Sequence, residues 1–507
     1  GLEWFNSAEP LSLSGNLSGR LVLLDFFTYC CINCMHILPD LEAVEQAFPQ
    51  EKGLQVVGVH SAKFDNEKVS ANIRAALLRY GIHHPVVNDC DAILWHEMLV
   101  QCWPTVVLIG PDQKVLLSLA GEGHRDVLLD CIEVALEHYS NTINRQPIQP
   151  GPSANIGEHL FPSKICIDAK GERLVMSDAV RHRIVVASMN GMVQHVIGGR
   201  GHGLTDGSFI SSQFFGPQGV CFHGDDLIIV ADTENHAIRK IDLVAGTVRT
   251  IAGNGKQGTD LAGGKLFCLQ EISSPWDVVM GSEGVVYIAM AGTHQIWALC
   301  LDQDAVILGT PFQKGTCVRI AGSGEEENRN TRYPLTAAFA QPSGLAIHKI
   351  KLSPILYIAD SESSSIRSLD LSDGSVKSVV GADIDPKNLF AFGDVDGKGI
   401  EAKLQHPLAV TLAEDGQLFV ADSYNHKIKK VVPKFREVRT VFGTGKMGDT
   451  LKDSPLQCAL NEPGGLAYNP HSRRLYIADT NNHYIKIYDT EANMSGIVSY
   501  FNCTCAI

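Results

Sequence analysis

The hydrophobic pattern changes character once along the chain. Up to about residue 140, continuous apolar runs alternate with amphipathic stretches. "RLVLLDFFT" and "LQVVGVHS" predict buried strands, while "CINCMHILPDLEAVEQAF" and "NEKVSANIRAALLRYG" carry the three-to-four-residue spacing of helices. "PTVVLIG", the turn "PDQK", "VLLSLAG" and a last helix, "RDVLLDCIEVALEHY", complete this part. The order strand, helix, strand, helix, strand, hairpin strand, helix implies a mixed sheet covered on both faces, hence an α/β domain over 1–140. "SNTINRQPIQPGPSANIGEH" then has three prolines, two glycines and few large apolar residues, so 141–159 is expected to be a linker.

From residue 160 the chain repeats itself. "LVMSDAVRHRIVVAS", "LIIVADTENHAIRKID", "VYIAMAGTHQIWALC", "LYIADSESSSIRSLD", "LFVADSYNHKIKKVV" and "LYIADTNNHYIKIYD" share one plan: an apolar strand ending in Ala-Asp, a polar turn, and a second strand of period two. The acids are Asp178, Asp232, Asp360, Asp422 and Asp479, with Met290 at the same place in the third copy. A strand opened by Pro or Gly precedes most copies, and a strand running into a Gly-rich loop follows most of them. Four strands per unit at spacings of 54 to 70 residues describe a β-propeller of six blades over 160–507. An Asp ending a strand can accept N–H bonds from the following turn, Asn tolerates left-handed backbone, and His can bridge back with a ring N–H. The recurring His236, His426 and His483 therefore point to a fastener rather than to metal ligands.

Composition narrows the function. The chain has 507 residues, more than one hydrophobic core accommodates. It has no apolar run long enough to span a bilayer, so no membrane association is expected. It opens on Gly1 without a basic and apolar leader, the pattern of a trimmed or processed chain. Many of its 14 cysteines stand singly in apolar segments such as "SKICID" and "GVCFHG", which suits a reducing compartment, the cytosol, better than a disulfide framework. Net charge is −14, with 9 Lys and Arg against 18 Asp and Glu in residues 1–150 and 33 against 38 in the remainder. That sign argues against nucleic acid, although "HKIKKVVPKFREVR" at 426–439 is a basic stretch whose alternation predicts solvent-facing lysines, Lys429 and Lys430 among them.

Candidate chemistry gathers in "DFFTYCCINC". Cys30 and Cys31 could bridge only through a strained vicinal ring, whereas Cys31 and Cys34 stand three apart in a predicted first helical turn and suit a disulfide. At a helix N-terminus the unpaired amides favour a Cys31 thiolate, which makes it the attacking sulfur and Cys34 the resolving one. Asp25 lies on the preceding buried strand. Desolvation would raise its pKa and let it exchange a proton with Cys34. A zinc shell from Cys30, Cys31, Cys34 and Cys102 fits poorly, because adjacent cysteines rarely suit a tetrahedron. No cofactor or metal is expected.

From Trp4 to Tyr139 these residues resemble the thioredoxin-like family, in particular its TlpA/ResA branch. The resemblance implies a buried acid at Asp25, a redox pair at Cys31 and Cys34, a helix-kinking proline at Pro39, and a cis-proline at Pro104 within "WPT". It also marks departures at the working surface. Cys30 stands where the family usually has Trp, Ile32-Asn33 replaces Gly-Pro, and Trp103 replaces the small or β-branched residue whose backbone pairs with substrate, so Trp103 would shape that groove. Cys102 is a further sulfur that the fold would bring near the pair. From residue 160 the turns "ENHA", "YNHK" and "NNHY" resemble the NHL repeat family, with "GTHQ", "VRHR" and "SSSI" departing from it. That resemblance implies a platform for protein or RNA.

Two functions follow as expectations. One is a thiol-disulfide oxidoreductase whose propeller recruits protein partners through its loop faces, for instance at the insertions 303–316 and 384–404. The other is a non-catalytic scaffold with a vestigial or regulatory thiol site. A propeller hydrolase with a central calcium lacks a convergent set of carboxylates apart from the turn acids. A C-terminal continuation beyond the sixth blade is also expected.

Overall fold

The computed structural model describes residues 2–152, 157, 159–351 and 353–498. It divides into two compact units, Gly1–Glu158 and His159–Ile507. The first is α/β and the second a six-bladed propeller.

The first unit contains β1 (Glu3–Phe5), β2 (Leu21–Phe27), α1 (Ile32–His36), α2 (Leu38–Ala47), β3 (Leu54–His60), α3 (Ser70–Arg79), β4 (Val86–Asn88), α4 (Ile93–Glu97), β5 (Thr105–Ile109), β6 (Val115–Ala120) and α5 (Arg125–His138). Strand order in the sheet is β1-β4-β3-β2-β5-β6. β2, β3 and β4 run parallel, while β1, β5 and β6 are antiparallel to their neighbours. Apolar groups cover both faces of the central strands, which is why those strands read as continuous apolar runs. Period two sends Leu21, Leu23 and Asp25 to the face covered by α2 and α5, and Val22 and Phe26 to the other. β1, β4 and α4 escape the sequence pattern because three to five residues are too few to show a period. Beyond α5 the chain lies against this unit: Asn144 donates its amide to Gly19 at 2.7 Å, and Ile148 donates to Gln50 Oε1 at 2.8 Å.

The propeller consists of six antiparallel sheets, at 162–198, 207–252, 263–321, 342–381, 397–442 and 463–497. Blades 2, 3 and 5 add a short fifth strand on the outer edge, supplied by the loop that enters the blade. First strands of successive blades pack side by side until the sixth meets the first. Each of the six interfaces carries its own apolar cluster. Around the axis the first strands come very close: a Cβ on Gly219 would stand 2.5 Å from Asp277 Cα. There Lys164, buried, donates to the carbonyls of Ser343 and Leu408 and faces Asp277 at 3.9 Å, so one cation ties blades 1, 3, 4 and 5.

The repeated turn works differently from the expectation. Asp232 Oδ1 accepts the amide of Phe215, on the segment entering the same blade, at 2.8 Å, rather than one in the following turn. Its Oδ2 accepts from Asn235 at 2.8 Å and from Arg239 at 2.7 Å. Asp422 repeats this with Gln405, Asn425 and Lys429, and Asp479 with Asn461, Asn482 and Lys486. Histidine, not asparagine, takes the left-handed position, with φ of 47° at His236 and 52° at His426. Its Nδ1 reaches forward to the next blade, accepting from Ser274 in one case and Glu462 in the other. The hydroxyl following each of four acids also bonds the carbonyl of the proline that opens the next first strand: Thr233 to Pro275, Ser361 to Pro407, Ser423 to Pro463 and Thr480 to Pro162. The last of these closes the ring.

In four blades the buried acid takes its cation from seven residues ahead, and in blade 1 Asp178 takes Arg183 from five ahead. Blade 3 replaces both members, with Met290 for the acid and Trp297 for the base, and both are buried in an apolar cluster. This pattern corrects the reading of 426–439. Lys429 is fully buried against Asp422, Asp394 and Asp396, and Lys427 pairs with Asp394, so these lysines do not offer a solvated basic stripe.

Removing one buried charge strands its partner, whereas removing both for apolar groups of suitable shape does not. Asp232→Ala is therefore expected to cost about 3–5 kcal/mol in denaturant unfolding. Asp232→Met combined with Arg239→Trp, the blade 3 pairing, should recover most of that loss.

Candidate redox site

β2 ends at Phe27, and the chain turns through Thr28–Cys31 into α1, which lasts only five residues. The helix axis breaks at Ile37 and resumes in α2 with Pro39 in its first turn, where a missing amide is harmless. Cys31 is the N-cap of α1, in extended conformation, and Cys34 donates its amide to Cys31 O at 3.1 Å. Cys34 is fully buried and Cys31 half-exposed, and both are free thiols. Cys30 is buried, its sulfur 3.8 Å from the Thr28 hydroxyl. Of these three cysteines, only Cys31 meets water.

Asp25 lies beneath the pair, 1 % exposed, and neither carboxylate oxygen has a hydrogen-bond partner among the described residues. Burial pushes its pKa up to about 7, opposed by the charge of His84. Burial, then the hydrogen bond and charge of Cys31, and more weakly the charge of Asp25, push the Cys34 thiol well above the ordinary range. A deprotonated Cys34 therefore needs a nearby acceptor for its proton, and Asp25 is near enough for its charge to act on Cys34.

The Trp103–Pro104 peptide is cis. The Trp103 indole donates to Ser61 O at 3.0 Å and its ring lies 4.5 Å from that of Trp95. Cys102 is exposed, with its sulfur 3.9 Å from the Thr105 hydroxyl.

Two contributors carry no signal in the sequence pattern. Glu67, fully buried, accepts from the Thr28 hydroxyl at 2.7 Å, from the Cys30 amide at 3.0 Å, and from the amides of Lys63 and Phe64. It clamps the loop that presents Cys31, yet the sequence pattern offers Glu67 only as part of the helix "NEKVSANIRAALLRYG", and the helix itself begins at Ser70. His84, from "GIHHPVV", is buried and faces Glu45 of α2 at 3.5 Å.

The fold and this site define a thioredoxin-like domain followed by an NHL-repeat β-propeller. A thioredoxin-like family model matches residues 19–115, and NHL repeat models match 214–241 and 404–431. The NHL repeat-containing protein 2 of Homo sapiens is 50% identical over 526 aligned residues, covering 100% of this chain and 72% of that protein. The chain belongs to the NHL repeat-containing protein 2 family. Protein SUPPRESSOR OF QUENCHING 1, chloroplastic, of Arabidopsis thaliana is 46% identical, covering 96% of this chain and 46% of its own length. Protein DipZ of Mycobacterium bovis is 33% identical over 161 residues, covering 31% of this chain and 22% of that protein.

A carboxyl with a folded pKa near 7 and an ordinary unfolded one binds its proton more tightly when folded, so its share of stability falls as pH rises from about 4 to about 7 and stays low above that. Asp25→Asn should therefore raise unfolding stability at alkaline pH by as much as ~4 kcal/mol. It should also flatten the pH dependence in that window, as read by denaturant melts across pH.

Proposed function

We propose that the first unit is a thiol-disulfide oxidoreductase and that the propeller brings it protein partners. The observation that carries this reading is the half-exposed Cys31 at the cap of α1, one turn from a buried Cys34 over a buried, unpartnered acid. The Cys31 thiolate displaces one sulfur of a target disulfide, giving a mixed disulfide and a target thiol. Cys34 passes its proton to Asp25 and attacks Cys31, which forms the Cys31–Cys34 disulfide and frees the second target sulfur. The target gains two electrons and two protons, and an external dithiol returns the protein to its reduced form. Pro104 and Trp103 border the docking groove, and Cys30 and Cys102 are accessory thiols.

The propeller's part is assigned by its architecture, in which loops at both ends of the blades vary without disturbing the sheets. The hairpin Ala305–Ile307 with Thr310–Phe312 is one such insertion. No described helix is long and apolar enough to cross a membrane, and the described cysteines are all free thiols. A reducing compartment, the cytosol, suits that state. A scaffold without catalysis is favoured by one feature, the Trp103 indole beside the cis-proline.

Cys31→Ser is expected to abolish disulfide reduction in a turnover assay driven by a dithiol, and Cys34→Ser to accumulate mixed disulfides visible on non-reducing gels. A wild-type protein without turnover, whose captured partners survive loss of both cysteines, sinks the catalytic reading in favour of the scaffold.

A further inference from the structure

A proton taken up by Asp25 has to leave a dry interior. β2 and β3 run parallel, with Asp25 beside Gly58 and Phe27 beside His60. Residues paired this way project from the same face of the sheet. Gly58 donates its amide to Pro85 O at 2.9 Å, which draws the neighbouring His84 over β3. A Cβ on Gly58 would stand 3.4 Å from His84 Nε2, 3.0 Å from Phe27 and 2.9 Å from Val86. The place of the missing side chain is thus filled by Val86, Phe27 and the His84 ring edge, which brings the ring over the residue paired with Asp25.

Three buried polar groups share this face. Both oxygens of Asp25, Nε2 of His84 and both ring nitrogens of His60 have no hydrogen-bond partner among the described residues. In folded proteins most buried polar groups are paired, and exceptions call for an explanation. His60 is stacked on Tyr29 and edge-on to Phe27, and burial drives its pKa down to about 3, so it stays neutral and takes no proton near neutrality. His84 is different, because its far nitrogen leads outward. Nδ1 lies 3.5 Å from Glu45 Oε2, and the Glu45 side chain is 40% exposed. With Nδ1–H directed at that carboxylate, Nε2 is left as the acceptor, beside Gly58, the sheet partner of Asp25.

We propose that His84 and Glu45 form the proton path between Asp25 and solvent, a reading that rests on the redox role proposed for Cys31 and Cys34. The Cys34 proton moves to Asp25 as Cys34 attacks the mixed disulfide. Asp25 then protonates His84 Nε2, and His84 releases its Nδ1 proton to Glu45 and so to water. The ring ends in the other tautomer, and the reverse transfer resets it when an external dithiol reduces the disulfide: Cys34 reclaims a proton from Asp25, Asp25 takes one from His84 Nε2, and Nδ1 takes one from water through Glu45. No electrons move in this relay. The groups facing Asp25 are Cys34 from α1, with Cys31 beyond it, His84 from the loop before β4, and His60 from β3, and Glu45 of α2 faces His84.

The experiment reads the path with and without redox turnover. In the full chain below the pH at which Asp25 ionises, deuterium exchange of its protonated carboxyl is followed by the infrared carbonyl stretch after mixing with D2O, with Asp25→Asn identifying the band. His84→Phe, which keeps the ring volume, should slow that exchange about tenfold or more. Glu45→Gln should slow it less, and imidazole added to His84→Ala should restore it. The same variants should slow formation of the Cys31–Cys34 disulfide from a preformed mixed disulfide and shift its pH profile, while attack by Cys31 in a Cys34→Ser background keeps its rate. Exchange that is unchanged or faster in His84→Phe overturns the path. A wild-type chain without disulfide exchange refutes the redox role instead, and the carboxyl exchange still decides whether His84 carries the proton.

Discussion

A carboxylate withdrawn from water must be compensated, and the two units meet that constraint in opposite ways. In the propeller, Asp232, Asp360, Asp422 and Asp479 are as buried as Asp25, but each holds a backbone amide, an Asn or Ser side chain, and an Arg or Lys. Both carboxylate oxygens are bonded, and the acid serves as a knot. Asp25 has no such partners, and burial alone raises its proton affinity to the neutral range. A saturated buried acid holds strands together, while an unsaturated one is available to a proton. The same residue type at the same depth is thereby structural in one unit and, in the proposed reaction, chemical in the other.

The knots also explain how the ring stays closed. Each blade is built from consecutive strands of the chain, and the sixth does not borrow a strand from the first. Closure instead relies on the repeated contacts, with Thr480 donating to Pro162 O and His483 donating through Nδ1 to Leu160 O. Blade 3 shows that the charge itself is dispensable. Met290 and Trp297 fill the place of acid and base, and the Trp297 indole donates to Gln295 at 2.9 Å, so no buried donor is left bare. An apolar pair of matching volume avoids the desolvation that an ion pair must recover.

Legibility followed the range of the interactions. Repeats, buried strands and the cysteine turn are local, and "LYIAD" or "CCINC" displays them. The inward lysine was hidden by the same locality: along "HKIKKVV" the alternation shows which residues share a face but not which face meets Asp422 at the end of the preceding strand and two aspartates, Asp394 and Asp396, from the loop entering the blade. Glu67 and His84 lie further out of reach. One is 37 residues from the cysteine amide it accepts, and the other meets Glu45 only because α2 packs on the face that β3 presents. Trp103 was legible as a departure, but not its hydrogen bond to Ser61, which depends on the end of β3 lying beside the cis-proline loop.

In the proposed reaction, burial imposes both the order of events and their difficulty. Cys34 is sealed and its thiol holds its proton strongly, so an incoming disulfide meets Cys31 first. That same seal makes Cys34 a reluctant nucleophile for the second step. A base of ordinary carboxylate strength would be too weak to help, and one much stronger would arrive already protonated at neutral pH. The value near 7 that burial gives Asp25 falls between these limits. Yet a base matched by desolvation inherits the problem of desolvation, because the dry surroundings that strengthen it also bar the water that would discharge it. Once the sulfurs are in contact, the slow coordinate is then the proton's exit rather than the approach of Cys34 to Cys31. The glycine at position 58 matters for that reason: a side chain there would press on Val86, Phe27 and the His84 ring and push that ring off the strand beside the acid.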